Sequence, residues 1–216
     1  MMLLHIDASA RVERSITRAL SGSFVKTWLA ERPSDAIVRR DVGLHPPTFV
    51  SQEWIAACFA AENERTAEQH AILALSDELI AEVESAEVIV LGTPMYNYGM
   101  PASLKAWFDQ VVRIGKTFSF DLDRGDFPLE PILDGKTLVT LTSKGEFGFQ
   151  PGGVREHMNH LDGHIKSIAH YLGVTESHSI HVEYQEFRDD RHRMSREKAE
   201  SDTVDLAKRL AANCKQ

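Results

Sequence analysis

Residues 88–109 read Val88-Ile89-Val90-Leu91-Gly92-Thr93-Pro94-Met95-Tyr96-Asn97-Tyr98-Gly99-Met100-Pro101-Ala102-Ser103-Leu104-Lys105-Ala106-Trp107-Phe108-Asp109, and their order decides the fold. Val88 to Leu91 is apolar at successive positions, which suits a strand covered on both faces, as in a parallel sheet. Thr93 to Gly99 interrupts the run with an amide, two aromatics and a glycine. A helix is then predicted over Met100 to Val112, with Pro101 in its first turn, where a missing N–H costs nothing.

Four more short apolar runs flank this unit: Leu3 to Ile6, Ala36 to Val38, Thr137 to Leu141, and Val174 to about Val182. Segments of helical period separate them. Ser15 to Ala30 carries Ile16, Leu20, Phe24 and Trp28 in steps of four, and Ala71 to Val83 carries Ile72, Leu75, Leu79, Ile80 and Val83, one apolar stripe on each. A short helix is predicted over Gln52 to Ala61. Another runs from Val154 to Leu172 and ends at Gly173, a residue suited to a left-handed C′ position. Ser195 is the expected cap of a last helix that reaches about Asn213. The alternation predicts one doubly wound α/β domain over residues 1–216, a five-stranded parallel sheet with helices on both faces. The connections 41–64 and 117–135 are long enough to serve as lids or interface elements, the second carrying Gly125, Pro128, Pro131 and Gly135.

Composition bounds the partners. With 43% apolar and 26% charged residues in 216, the chain reads as an ordinary soluble globular protein. Twenty-four Lys and Arg against 32 Asp and Glu leave a net charge of -8, which argues against nucleic acid or an anionic membrane held by bulk attraction but permits a local anion site. No stretch reaches the roughly 18 uncharged apolar residues of a membrane span, and the N-terminal run is too short and wrongly flanked for a signal peptide. Cys58 and Cys214 form neither a C-x-x-C pair nor a metal spacing, so a reduced, cytoplasmic protein is expected.

In an open parallel sheet the ligand lies outside the carboxyl ends of the strands where strand order reverses, so the loops after the first, third and fourth strands carry the chemistry. The first loop has neither G-x-G-x-x-G nor a Walker A pattern, which counts against dinucleotide and P-loop sites. It offers three hydroxyls, Ser9, Ser15 and Thr17, running into a helix N-terminus, which is chemistry for a phosphate monoester. The plainer alternative is that Ser15 only caps the helix. Met95, Tyr96, Asn97 and Tyr98 give a surface for a flat heterocycle, with backbone groups for its polar edge and a following helix dipole for negative charge. Thr142, Ser143, Lys144 and Gly145 add a hydroxyl, a cation and a permissive backbone.

Taken together these loops resemble the FMN-dependent NADH azoreductase family, a branch of the flavodoxin-like NAD(P)H:quinone oxidoreductases. The likeness runs over essentially the whole chain. Ser9 with Ser15, Ile16 and Thr17 carries it, as do Pro94 to Tyr98 continuing into Leu104 to Asp109, and Thr142 to Gly145. The resemblance implies that the first loop holds the FMN phosphate. It also implies that Met95, Tyr96, Asn97 and Tyr98 wrap the ribityl chain and ring edge, and that Ser143, Lys144 and Gly145 approach the pyrimidine end. It further implies sheet order 2-1-3-4-5, a homodimer with the flavin near the interface, and ping-pong transfer from NADH through FMN to quinones or azo compounds. The cofactor then carries the chemistry and no catalytic side chain is required. Phe118 and Phe120 are candidates for the wall of the acceptor slot, from this chain or its partner, with core packing as the alternative. The family commonly has Arg, Gly, Gly where this chain has Lys144, Gly145 and Glu146, and Lys cannot fork as Arg does.

Rival readings remain. His157, His160 and His164, with Asp162 close by, share one face of the predicted 154–172 helix at a spacing that suits zinc, although ten histidines in the chain make such a coincidence unremarkable. A flavodoxin-like electron carrier would bind FMN without turning over NADH, and a partner-binding module could dock through the tail helix from His192 onward.

Overall fold

The computed structural model describes residues 1–213, and its architecture follows from where the apolar runs pair. Strand β1 (Met2–Asp7) pairs in parallel with β2 (Ala36–Asp41) on one side and with β3 (Val88–Pro94) on the other. Outward from β3 come β6 (Lys136–Ser143) and β7 (Val174–Val182), also parallel, giving the order β2-β1-β3-β6-β7. Counting only the strands of this sheet, that is the expected 2-1-3-4-5. The two intervening labels belong to a short antiparallel hairpin, β4 (Phe118–Phe120) with β5 (Leu129–Pro131), inside the long 117–135 connection. Alternation alone does not announce three-residue strands, one of them ending in a proline.

Among the described residues six α-helices accompany the strands: α1 (Ile16–Glu31), α2 (Gln52–Phe59), α3 (Ala67–Ser85), α4 (Ala102–Val111), α5 (Asp162–Ala169) and α6 (Asp190–Asn213). Strand side chains of opposite parity go to two core clusters. Leu3, Val88 and Val90 join Leu20, Phe24 and Trp28 of α1 and Leu206 and Leu210 of α6. Leu4, Ile6, Ile89 and Leu91 join Leu79 and Val83 of α3, Leu104 and Trp107 of α4, and Ile165 of α5. By that alternation α1 and α6 cover one face of the sheet and α3, α4 and α5 the other. The 42–59 excursion is tied down separately. The Trp54 indole donates to Gln110 Oε1 at 2.9 Å, and Gln110 Nε2 donates to the Thr48 carbonyl at 2.8 Å.

Several local expectations need correction. The helix expected over 154–172 is broken: a single 3-10 turn at Glu156–Met158 is followed by α5 only from Asp162. Asn159 is the cause, since its Oδ1 accepts from the N–H groups of Leu161 and Asp162 at 3.3 and 3.1 Å, a side-chain turn that competes with helix continuation. His157, His160 and His164 therefore do not share a helical face, and among the described residues no group of three or more His, Cys, Asp or Glu is placed to hold a metal. Gly173 does close the segment, at φ +81°. Ser195 does not cap the last helix. Asp189 does, accepting from Arg191 N at 3.0 Å, while Ser195 Oγ accepts from Glu183 N. Pro101 sits one position before α4 rather than inside its first turn. Cys58 is a buried free thiol, and Cys214 lies outside the described residues. No helix among those described is long and apolar enough to cross a membrane.

Candidate functional site

Because β1, β3 and β6 are neighbours, the loops at their carboxyl ends meet. Ser9, Ser15 and Ile16 from the first, Met95 and Tyr96 from the second, and Ser143 and Gly145 from the third line one cleft, with Arg11 and Arg14 at its first-loop end. Asn97, Tyr98 and Gly145 continue it into an adjoining hollow with Glu146 and Phe149. Thr17 stands just behind, buried, with its hydroxyl 3.4 Å from Ser15 Oγ. Ser15 is both a cap and a cleft residue: its Oγ accepts from Arg18 N at 3.4 Å while the first-turn N–H groups of α1 lack intrahelical acceptors. Ser9 Oγ accepts from Arg11 N at 3.2 Å.

The 95–99 loop is a tight two-residue reversal. Tyr96 N donates to Gly99 O at 2.9 Å and Gly99 N returns a bond to Tyr96 O at 3.0 Å, with Asn97 at φ +48° and Tyr98 at φ +67° between them. Two consecutive non-glycine residues in the left-handed region cost free energy, which asparagine tolerates better than tyrosine. Such strain persists only where the surroundings hold it. Here Met95 N donates to Ser143 O at 2.9 Å and His160 N donates to Tyr98 O at 3.0 Å, so the loop is fastened from β6 and from the 159–161 turn. Tyr96 and Tyr98 are 38% and 39% exposed, so both rings border the cleft mouth with part of their surface open to solvent.

Lys144 is not where the chemistry of the third loop asks for a cation. Its ammonium is buried and lies 2.7 Å from Asp162 Oδ2, behind the cleft and 5.6 Å from the Phe149 ring centroid. Strand alternation carries past the end of β6, so Ser143 and Gly145 face the cleft and Lys144 faces away. Glu146, standing where the family commonly has glycine, is occupied as well: it accepts from the Tyr98 hydroxyl at 3.2 Å and pairs with Arg155 at 3.0 Å. Gly145 has a steric reason, since a Cβ there would lie 2.9 Å from Glu186 Cγ.

The segment after β7 is a part of the site that strand and motif reading missed. Gln185 and Glu186 line the cleft, and the N–H groups of Tyr184, Gln185 and Glu186 donate to the carbonyls of Glu146, Lys144 and Gly145. Glu183 Oε1 accepts from Gly148 N at 3.1 Å and secures the same loop from below. Only the position of this segment, at the end of another parallel strand, could have flagged it.

Phe118 and Phe120 are not brought to the cleft within this chain. They line a separate apolar hollow with Trp54, Cys58, Phe59 and Leu129. Burial pushes the Cys58 thiol above its ordinary range, with Arg113 and Arg65 opposing the shift, so this cysteine is a poor nucleophile.

The comparisons agree with this fold. A family model described as having the flavodoxin-like fold matches residues 1–206. The chain is similar to the FMN-dependent NADH:quinone oxidoreductase 2 of Idiomarina loihiensis, 54% identical over 216 residues covering 97% of this chain and 90% of that protein. It is likewise similar to the protein of the same name in Colwellia psychrerythraea, 52% identical over 215 residues covering 96% and 98%. Among solved structures it resembles the azoreductase of Bacillus anthracis str. Sterne, with a TM-score of 0.86 at 20% identity covering 97% of this chain and 99% of the other. It also resembles the FMN-dependent NADH-azoreductase of Bacillus anthracis str. Ames Ancestor in complex with FMN, with a TM-score of 0.84 at 17% identity and the same coverage. At those identities the structural matches speak to the fold.

Proposed function

This chain belongs to the family with the flavodoxin-like fold, and from that premise we propose that it is an FMN-dependent NADH:quinone oxidoreductase that also reduces aromatic azo compounds. The observation that carries this reading is the convergence of three loops. Hydroxyls and a helix N-terminus stand at one end of the cleft, and a strained aromatic turn stands at the other.

The residues fit FMN. Ser9, Ser15 and Thr17, with the N–H groups at Ile16 and Thr17, form the phosphate end, so anion binding is local and indifferent to the net charge of -8. Met95, Tyr96, Asn97 and Tyr98 border the ribityl chain and ring edge. Ser143 and Gly145 approach the pyrimidine end, and Lys144 supports that loop from behind, its N–H donating to the Val182 carbonyl and its ammonium pairing with Asp162. When bound, FMN supplies the two-electron chemistry, accepting from NADH and giving to the acceptor in turn. The chain's part is to orient and to stabilise charge: the N-terminus of α4, starting at Ala102 directly after the aromatic turn, favours negative charge on the ring beside it. No side-chain nucleophile is needed.

The chain works as one domain over residues 1–216, in the cytoplasm, as a homodimer. In support of the dimer, Phe59 and Phe120, 73% and 49% exposed, border one apolar hollow with Phe118 and Leu129, the kind of surface a partner covers. Placing Phe118 and Phe120 of one subunit over the cleft of the other gives the planar acceptor its second wall.

Steady-state turnover tests the reading. Without oxygen, the FMN-loaded protein should oxidise NADH beyond one equivalent per flavin only when a quinone or an azo dye is supplied, and each acceptor should be consumed in proportion. Flavin-loaded protein inert toward both acceptors overturns it.

A further inference from the structure

Arg18 occupies the third position of α1, yet its side chain turns back beneath the loop that precedes the helix. Its Nη2 donates to the Ser9 carbonyl at 2.7 Å and its Nε donates to the Arg11 carbonyl at 2.9 Å. The same guanidinium grips Asp41, at the end of β2, with Nη1 at 2.6 Å and Nη2 at 2.8 Å, and Nη1 stands 3.6 Å from Asp7 Oδ2 at the end of β1. Asp41 accepts in addition from Leu44 N at 3.0 Å, and Asp7 Oδ1 accepts from Ser21 Oγ at 2.8 Å, so both carboxylates are fixed in turn. His5 Nε2 lies 3.3 Å from Asp7 Oδ2.

The loop that Arg18 grips needs an external hold. Residues 8–15 form neither helix nor strand, and Arg14 among them sits at φ +58°, where a residue with a Cβ does not rest of its own accord. Pinning a trans peptide by its carbonyl also aims the following N–H to the opposite side. With the Ser9 and Arg11 carbonyls held by Arg18, the N–H groups of Ala10 and Val12 point away from it.

Charge is not what Arg18 brings. One guanidinium faces two carboxylates, Asp7 and Asp41, so its charge is balanced within the fold and is not free to act as the counter-ion of a phosphate. Its planar fork reaches two carbonyls and a carboxylate together, which a lysine ammonium cannot do.

We infer that Arg18 is a positioning residue for the phosphate end of the cleft, holding Ser9, Ser15 and the first turn of α1 in the shape that distinguishes FMN from riboflavin, and that it acts by geometry rather than by charge. The inference rests on the FMN reading above and adds a residue that never touches the ligand.

Fluorescence titration of the flavin-free protein with FMN and, separately, with riboflavin tests it. R18K keeps the charge and loses the fork. It should weaken FMN by about tenfold, as expected for lost charge-assisted bonds, and riboflavin by less than about twofold, so the preference for FMN falls. D41N, which loosens the fork from the far side, should shift the same ratio in the same direction by a smaller factor, and it decides the matter if R18K does not fold. An unchanged ratio in the folded variants overturns the inference. So does an R18K protein with wild-type FMN affinity beside an R18A protein that has lost it, since charge would then be the cause. A wild-type protein that takes up neither flavin overturns the functional reading instead.

Discussion

Lys144 Nζ stands 2.7 Å from Asp162 Oδ2, with the lysine side chain 1% exposed, so the one cation in the third cleft loop serves as a strut behind the site. Removing Asp162 would leave a buried ammonium unpaired. Asp162→Ala should therefore cost about 2–4 kcal/mol of stability, somewhat discounted because the carboxylate is 40% exposed. Lys144→Met should keep FMN affinity within about threefold, because no bond to the ligand is lost. Thermal denaturation together with FMN titration checks both. A Lys144→Met protein of normal stability that has lost FMN would return the ammonium to the ligand.

The Asn97–Tyr98 turn separates strain from function. Asn97→Gly relieves a left-handed residue and should raise the stability of the flavin-free protein by about 0.5–1 kcal/mol. Asn97→Ala lacks both the amide and the tolerance, and should weaken FMN retention. Tyr96→Ala should do the same with the fold intact. Differential scanning calorimetry and flavin content after gel filtration are the readouts. Wild-type flavin retention in both alanine variants would remove these side chains from the site.

Which features were legible in the sequence follows from the range of the forces that set them. The five sheet strands, the Ser15 cap and the Met95–Tyr98 loop are local, so period and residue type expose them. Asn159, which breaks the expected 154–172 helix, acts through a side-chain turn that helical period cannot register. The direction of Lys144 was available in principle, since alternation out of β6 already opposes it to Ser143 and Gly145. Arg18 reads as an ordinary helix-surface arginine until β2 delivers Asp41 to it, and Gln185 and Glu186 enter only because β7 ends beside β6. Tertiary pairing supplied all three of these positions.

Asp35 should make the protein sensitive to acid. Burial alone pushes its carboxyl up, but the Arg32 guanidinium, the Trp28 indole and the N-terminal ammonium outweigh that and hold it below its ordinary value. A depressed carboxyl stabilises the fold fully above its unfolded pKa of about 3.9, and that stability is lost as pH falls through the folded value. The contribution of Asp35 to the unfolding free energy should thus hold steady from neutral pH to about pH 5 and decline below about pH 4. Asp35→Asn should be less stable at neutral pH and show a shallower acid decline. A variant that parallels wild type throughout would contradict this assignment.

Phe120→Asp addresses the dimer. Sedimentation velocity should find the wild type as a dimer and the variant shifted toward the 24.2 kDa monomer, with turnover of planar acceptors falling in step. A wild type that is monomeric at micromolar concentration, or a variant with unaltered assembly and turnover, would detach the hairpin from both roles.

If the three loops hold an FMN that exchanges electrons with NADH, the bound flavin must change colour with its redox state. Anaerobic absorption spectroscopy tests this most directly. The expected result is a yellow protein whose flavin bands bleach in proportion to added NADH and return when a quinone is mixed in. A protein that cannot be loaded with FMN, or whose bound flavin keeps its absorption in excess NADH, would contradict it.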